Sequence, residues 1–437
     1  MASTPRNPNA WPRRHVVVAL AVLACLIGYT DRVNISVAVV AMREQFGWSQ
    51  TQKGWVLSSF FIGYMVFMPV SGWLAKRYGG ALILGLSGLL WSVFTLLTPL
   101  AATLPLAVLI AARVAMGIGE SAMFPATYEL FGRWTPAGER ARAVARMLSG
   151  VPLGTVAGLV GTGWVVARFG WPVAFYGAGV IGLGWAALWF WQVTNDPASD
   201  RRITPLELKL LPPRETAEQR REPIPWARLF LRIPVLAIVV GHFATTWNLY
   251  VLLSWLPSYF RDVHKVTIAS AGVLSAAPWL AMLVVTNVAA VVSDRLIARG
   301  MTVTAVRKIM HCTGLLVPAA CLLALQAPVA PGTAALLLCV AAGVSGCCWC
   351  GSSPAMLDVA PRHESIISGV VNAVATIPGI VGVAITGWLV DVTGGYSAAF
   401  LLIASVGVVG ALVFGTLFDA RPLLEEPPAG SPISASR

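Results

Sequence analysis

Charge is scarce in this chain. Of its 437 residues only 11% are Asp, Glu, Lys or Arg, while 57% are hydrophobic; a soluble domain carries roughly a quarter charged residues. That deficit excludes an ordinary soluble enzyme or binding module. Histidines number only five, and no His/Asp/Glu grouping offers a metal cluster or a nucleophile–base pair. Neither an enzyme nor a bound cofactor is therefore expected. The seven cysteines all fall in apolar stretches, so they read as small packing residues and not as a disulfide framework. Cys347-Cys348-Trp349-Cys350 sits between Gly346 and Gly351 without a neighbouring His, which favours packing over metal binding. The alternating ten-residue segments of a membrane β-barrel are missing too.

What the chain does have is apolar blocks long enough to cross a bilayer as helices, which takes about 20 residues. Val16–Val40, Val235–Leu256 and Ala398–Phe418 are examples. The expectation is an all-α polytopic membrane protein of twelve helices, at roughly 16–41, 53–75, 81–101, 105–130, 143–167, 171–193, 234–257, 268–293, 305–327, 333–357, 365–390 and 395–418. One long hydrophilic stretch, Thr194–Arg232, carries six prolines and eight basic residues. It divides the chain into a six-helix bundle (1–193), a central loop (194–233), a second bundle (234–418) and a tail (419–437). The halves repeat each other: Thr162-Gly163-Trp164-Val165-Val166 returns as Thr386-Gly387-Trp388-Leu389-Val390, and Gly170-Trp171-Pro172-Val173-Ala174-Phe175 as Gly395-Tyr396-Ser397-Ala398-Ala399-Phe400. Duplicated halves are the plan of alternating-access carriers, with the site between them near the midplane. Gly150, Gly154 and Gly158 form a small-residue stripe for close helix packing, placed by this reading at the interface where the halves slide.

The net charge of +12 is topological. Of 31 Lys and Arg, 24 fall in the termini, the central loop and the loops on that same side, five fall opposite, and Arg32 and Arg113 lie inside helices. This is the positive-inside pattern with both termini cytoplasmic, not a nucleic-acid patch. The basic N-terminus precedes an apolar run too long for a signal peptide, which reads as the first helix. A multi-pass protein of a bacterial inner membrane is expected, working as a monomer.

Few charges lie deep in the helices, and in sequence they come as opposite-sign pairs: Asp31 beside Arg32, and Arg113 seven residues before Glu120, on one helix face. A charge at the bilayer centre costs roughly 2.5–3.5 kcal/mol and usually marks function; the alternative is two structural ion pairs. Arg32 and Arg113 are the candidate anion clamps, because a guanidinium stays charged and grips carboxylate or phosphate bidentately. Asp31 and Glu120 are the candidate proton carriers. An anion competing for an Arg would free the adjacent carboxylate to protonate. Tyr64, Asn34, Trp247, Asn248, Ser353 and Asn372 are candidates to line the site, with Tyr29, Tyr250 and Ser352 near them; His242 reads as an interhelical hydrogen-bonding residue.

Tyr29-Thr30-Asp31-Arg32-Val33-Asn34, Ser58-Ser59-Phe60-Phe61-Ile62-Gly63-Tyr64, Arg113…Glu120…Pro125 and Arg133-Trp134-Thr135-Pro136 resemble the major facilitator superfamily. Within it they are similar to the anion:cation symporter family of sialin, vesicular glutamate and sodium–phosphate carriers, plant plastid anion transporters and bacterial galactonate or hexuronate transporters. Pro225-Trp226, Trp255-Leu256-Pro257-Ser258-Tyr259-Phe260 and Asp358-Val359-Ala360-Pro361-Arg362 extend the resemblance into the second half. It implies a major facilitator fold, proton-linked acids at Asp31 and Glu120, substrate-contacting arginines at Arg32 and Arg113, and site positions at Tyr64 and Asn372. Asp294 and Arg295 would belong to a gating loop, whereas its first-half counterpart holds Lys76. The helix-seven position that is basic in glutamate and sialic-acid carriers holds Thr245 here, and Ala355-Met356 stands where relatives often carry Asn-His. The expected function is proton-coupled symport of a small organic anion such as a sugar acid. The alternatives are a sodium-coupled phosphate or anion carrier, and a proton-driven exporter of drugs or metabolites.

Overall fold

A computed structural model describes residues 11–211, 232–360 and 364–421. Pro225-Trp226, Pro361-Arg362, the second part of the central loop and most of the tail lie outside the described residues. Twelve helices are long and apolar enough to span a membrane: α1 (Arg13–Phe46), α2 (Gln50–Tyr78), α3 (Gly80–Ala102), α4 (Leu106–Trp134), α5 (Gly138–Phe169), α6 (Trp171–Gln192), α7 (Ile233–His264), α8 (Ile268–Ala298), α9 (Val303–Ala324), α10 (Pro331–Val359), α11 (Ile367–Thr393) and α12 (Ser397–Leu417). All twelve expected helices are present, and several run a turn or more past their apolar cores. Local signals end them. Gly47 takes a left-handed conformation (φ 68°) after α1, and the Ser49–Gln52 capping box opens α2.

Two helices are broken. Helix α4 stops at Glu120 and restarts at Met123; α10 stops at Ser345 and restarts at Cys347. These are equivalent helices of the two halves, and the backbone between the segments stays right-handed (Ser121, Ala122 and Gly346), so each span is irregular without being unwound.

Close packing within the first half depends on missing side chains. A Cβ on Gly63 would run into the Val114 carbonyl, and one on Gly117 into the Phe60 carbonyl, so α2 and α4 touch backbone to backbone. The Gly150/Gly154/Gly158 stripe lies against Val22–Val33 of α1, and Thr30 Oγ1 donates to the Gly154 carbonyl at 3.0 Å. That corrects the expectation that the stripe works between the halves: it joins α1 to α5 inside one half. The tryptophans add directional ties, since Trp185 and Trp189 of α6 donate to the carbonyls of Leu20 and Ala81 at 3.0 and 2.8 Å.

The halves meet through α2 against α11 and α5 against α8. The repeated Thr-Gly-Trp motif serves this contact twice. Gly163 packs on Gly272 of α8 and Gly387 on the Gln50 backbone of α2, while Trp164 and Trp388 are exposed to 55% and 53%. One end of this seam is latched. Asp391 of α11 accepts from the Gln50 and Thr51 amides (2.9 and 2.6 Å), capping α2 from the opposite half. Asp262 of α7 accepts from Gln50 Nε2 (3.0 Å) and Tyr396 OH (2.8 Å). It also faces Lys53 Nζ at 3.8 Å, and Arg261 reaches Glu44 at 3.2 Å. Lys53, which reads from sequence as a loop charge, is buried with its ammonium 4.6 Å over the Trp255 ring.

At the other end the α1 N-terminus is held by the start of the central loop. The Glu207 carboxylate accepts from the backbone amides of Arg13 (3.0 Å) and Arg14 (2.9 Å), and Asp200 accepts from Arg13 Nε at 3.2 Å. Anionic side chains here satisfy orphan N–H groups and complement the helix dipole.

The α2–α4 contact gives a direct test. Gly63→Val should lower the detergent-solubilised melting temperature by several degrees, since overpacking typically costs about 1–3 kcal/mol. Gly132→Val, at a position open to space, should leave it unchanged.

Candidate functional site

The four deep charges meet in the first half, but not in the pairs their sequence suggests. Arg32 of α1 donates through Nε to Glu120 Oε1 at 3.0 Å and through a second guanidinium nitrogen to the same oxygen. Its guanidinium also lies over three rings, those of Tyr29 (4.6 Å), Phe60 and Tyr64 (both 4.9 Å). Tyr29 is one turn before Arg32, and Phe60 and Tyr64 are one turn apart on α2, so helix periodicity builds the cage. Glu120 is wholly buried, and its second oxygen has no partner among the described residues.

Arg113, two turns earlier on α4, is only 1% exposed. Its Nη1 approaches the Met116 sulfur at 3.0 Å, its guanidinium lies 5.4 Å from the Phe60 ring, and Nε is unpartnered. Among the described residues it forms no ion pair. Asp31 neighbours Arg32 in sequence but projects about 100° away around the helix. It accepts from Thr95 Oγ1 of α3 at 3.0 Å, and its other oxygen has no partner among the described residues. The expected Asp31–Arg32 and Arg113–Glu120 pairs are thus replaced by one Arg32–Glu120 bridge, an unpaired Arg113 and a hydroxyl-bound Asp31.

Arg32 and Arg113 line one narrow cleft, with room for little more than a water molecule as it stands, together with Phe60 and Phe61 from α2 and Leu253 and Ser254 from α7. Both halves therefore contribute walls. Tyr64 stacks on Phe60 (5.8 Å) and Tyr250 reaches Phe61 (4.6 Å) at its margin. Asn34 is not among the residues lining this cleft; its amide donates to the Ala174 carbonyl of α6 at 3.3 Å. Trp247 packs on Gly382 with its indole N–H unpartnered, and Asn248 is buried with its oxygen unpartnered. Asn372 is half-buried and donates to the Ser368 carbonyl at 2.8 Å. Ser353 is exposed, while Ser352 beside it is buried and 3.3 Å from His242 Nδ1, an interhelical contact as expected of that histidine. Thr245 bonds its own helix at Gly241, so this position supplies no cation. Asp294 and Arg295 are exposed at the end of α8; the ordered pair nearby is Arg307–Asp358 at 2.8 Å. Thr95, Met116, Phe61 and Ser254 carry no sequence signal that separates them from ordinary core residues. The seven cysteines are free thiols, and Cys348 packs against Gly314.

Twelve helices in two matching halves, with a buried cationic cleft between them, define a membrane carrier. The Major Facilitator Superfamily profile matches residues 20–383. The chain belongs to that superfamily, a family of transporters and not of enzymes. It is 34% identical over 415 residues to rice (Oryza sativa) probable anion transporter 4, chloroplastic, covering 95% of this chain and 70% of that one. It is 33% identical to the sodium-dependent phosphate transport protein 1, chloroplastic, of Arabidopsis thaliana (95% and 81% covered). The ascorbate transporter, chloroplastic, of the same plant is 33% identical (96% and 78% covered). Its fold is that of an inward-facing, unoccupied bacterial homologue of the human lysosomal transporter Spinster (TM-score 0.72, 18% identity, 93% and 95% covered). A D-xylose–proton symporter shares it as well (TM-score 0.71, 16% identity, 93% and 98% covered). The sequence resemblance to anion:cation symporters is borne out by these relatives.

Arg113→Ala should abolish anion binding while the protein stays folded, and Arg113→Lys should recover little of it if the grip is bidentate. Isothermal titration against a panel of organic acids and phosphate checks this; affinity retained in Arg113→Ala overturns the clamp.

Proposed function

We propose that the chain is a proton-coupled symporter of a small organic anion, a sugar acid or other carboxylate, working by alternating access. The observation that carries it is Arg113, a buried guanidinium with no carboxylate of its own, beside an Arg32 that already has one. A substrate carboxylate entering the cleft can take Arg113 directly and compete with Glu120 for Arg32. Glu120, released from its bridge in an environment poor in water, then favours protonation. Anion and proton bound together leave the cleft closer to neutral, which lowers the cost of sealing it from water.

The distribution of Lys and Arg supports cytoplasmic termini. On that orientation the Asp391–Asp262 latch is extracytoplasmic, and the arrangement described is closed to the outside. A bacterial inner membrane remains our proposed location, although the relatives named above are chloroplastic. A second reading, a sodium-coupled phosphate carrier, is favoured by the relative named for sodium-dependent phosphate transport.

The test is uptake into proteoliposomes. Acidic external buffer without sodium should stimulate accumulation, and a protonophore should collapse it. Glu120→Gln should keep substrate counterflow yet lose proton-driven accumulation, because Gln copies a protonated Glu but cannot release its proton. Uptake that needs sodium and ignores a protonophore under clamped voltage rejects the proton reading.

A further inference from the structure

Asp31 is the deep charge whose surroundings the bridge and the clamp leave unexplained. It is 1% exposed, and Thr95 Oγ1 is the one hydrogen-bond partner its side chain has among the described residues. A buried carboxylate ordinarily accepts two or three donors. Thr95 is itself 1% exposed, and its hydroxyl has two acceptors in reach. The Asp31 Oδ2 lies at 3.0 Å and the Trp91 carbonyl, one turn back on α3, at 2.9 Å; the Met116 sulfur is a distant third at 3.8 Å. A hydroxyl has one proton to give. It cannot satisfy the carboxylate and the carbonyl together.

The two protonation states of Asp31 resolve this in opposite ways. With Asp31 charged, the Thr95 proton turns to the carboxylate, and the Trp91 carbonyl is left with its place in the helix ladder. With Asp31 protonated, the carboxyl O–H donates to the Thr95 oxygen, and the Thr95 proton returns to Trp91. We propose that Thr95 is a positioning residue that reads and sets the proton state of Asp31, a hydroxyl switch on α3. The inference rests on the proton-coupled reading above for its role in transport, though not for the switch itself.

The charges that face Asp31 are few enough for one hydroxyl to matter. Helix α4 brings Arg113 and Glu120, and Arg32 follows on α1 itself. Helix α3 has no ionisable side chain, α5 none between Arg146 and Arg168, and α6 only the exposed Tyr176. Tyr64 of α2 and Tyr250 of α7 lie on the Arg32 side. A hydrogen bond to a charged acceptor is worth about twice one between neutral groups. Removing the hydroxyl therefore penalises the charged form of Asp31 more than the neutral one.

The experiment is an infrared pH titration of the full-length protein in liposomes, with the carboxyl band of Asp31 assigned by its loss in Asp31→Asn. Thr95→Val, close in shape, and Thr95→Ala should each move the midpoint of that band to more alkaline pH, by roughly one unit. Thr95→Ser should return it to the parent value. An unchanged midpoint in the Val and Ala variants, an equal shift in the Ser variant, or a carboxyl band that Asp31→Asn does not remove would overturn the proposal. A thermal melt of each variant separates misfolding from retitration. Uptake assayed alongside distinguishes the two readings: a shifted band with protonophore-insensitive uptake keeps the switch and rejects proton coupling.

Discussion

A guanidinium held out of water without a carboxylate is the constraint around which the first half of this carrier is arranged. Among the described residues Arg113 forms no ion pair: it touches a thioether and the face of Phe60, while Glu120 and Asp31 act on it only through space, which repays little of the hydration a full charge has lost. Arg32, by contrast, has Glu120 and three aromatic faces. The formal charges of Asp31, Arg32, Arg113 and Glu120 sum to zero, yet the geometry leaves them unevenly matched. Protonation of either acid leaves the cleft with excess positive charge, which one monovalent anion would cancel. The glycines follow from the same need. Gly63 and Gly117 let α2 approach α4 closely enough to put Phe60 against both arginines.

The seam between the halves has a different energetic character. Asp391 satisfies amide donors of α2 that any helix N-terminus would otherwise give to water. Opening the seam hands those donors and both carboxylates back to solvent, so little is lost beyond a modest electrostatic gain. A latch of partly exposed caps and ion pairs is thus suited to a bias of a few kcal/mol and not to a permanent closure. That matches a carrier, whose alternate states must lie close in free energy. The duplicated Thr-Gly-Trp motifs keep the rest of the seam equally light, with glycine facing the other half and tryptophan facing outward.

The helices were legible because burial in lipid leaves a one-dimensional record, a run of apolar residues of fixed length. Their ends were not. Helix α7 continues through Arg261 and His264 because the backbone ladder is indifferent to side-chain polarity once the chain reaches the interface. The four deep charges were legible for the same reason that the spans were, since each interrupts an apolar run. Their partners were not, because pairing depends on the rotation of one helix against another. A step of one residue sends Asp31 toward α3 and Arg32 toward α4. Asn34 is turned toward α6 by that same rotation, two residues on. Lys53 shows the limit of reading loops by hydrophilicity: a charge at a helix start is buried by a partner half that sequence order places some 200 residues away.

Two acids of one chemistry have been given unlike surroundings, and unlike surroundings are what assign roles to paired carboxyls. Glu120 is bound by a guanidinium that, on the proposed function, a substrate anion would also claim, so its freedom would depend on whether the cleft is occupied. Asp31 is bound by a hydroxyl that also has the Trp91 carbonyl in reach, so on the proposed switch its state would depend on α3 and on pH before it depends on substrate. Linking them is Arg113, whose sulfur contact, Met116, also lies 3.8 Å from the Thr95 hydroxyl. On the proposed function, an anion drawing Arg113 toward the cleft would pull on the same turn of α4 that carries Met116. Occupancy and protonation would then act on one short segment of one helix, the turn of α4 that ends at Glu120.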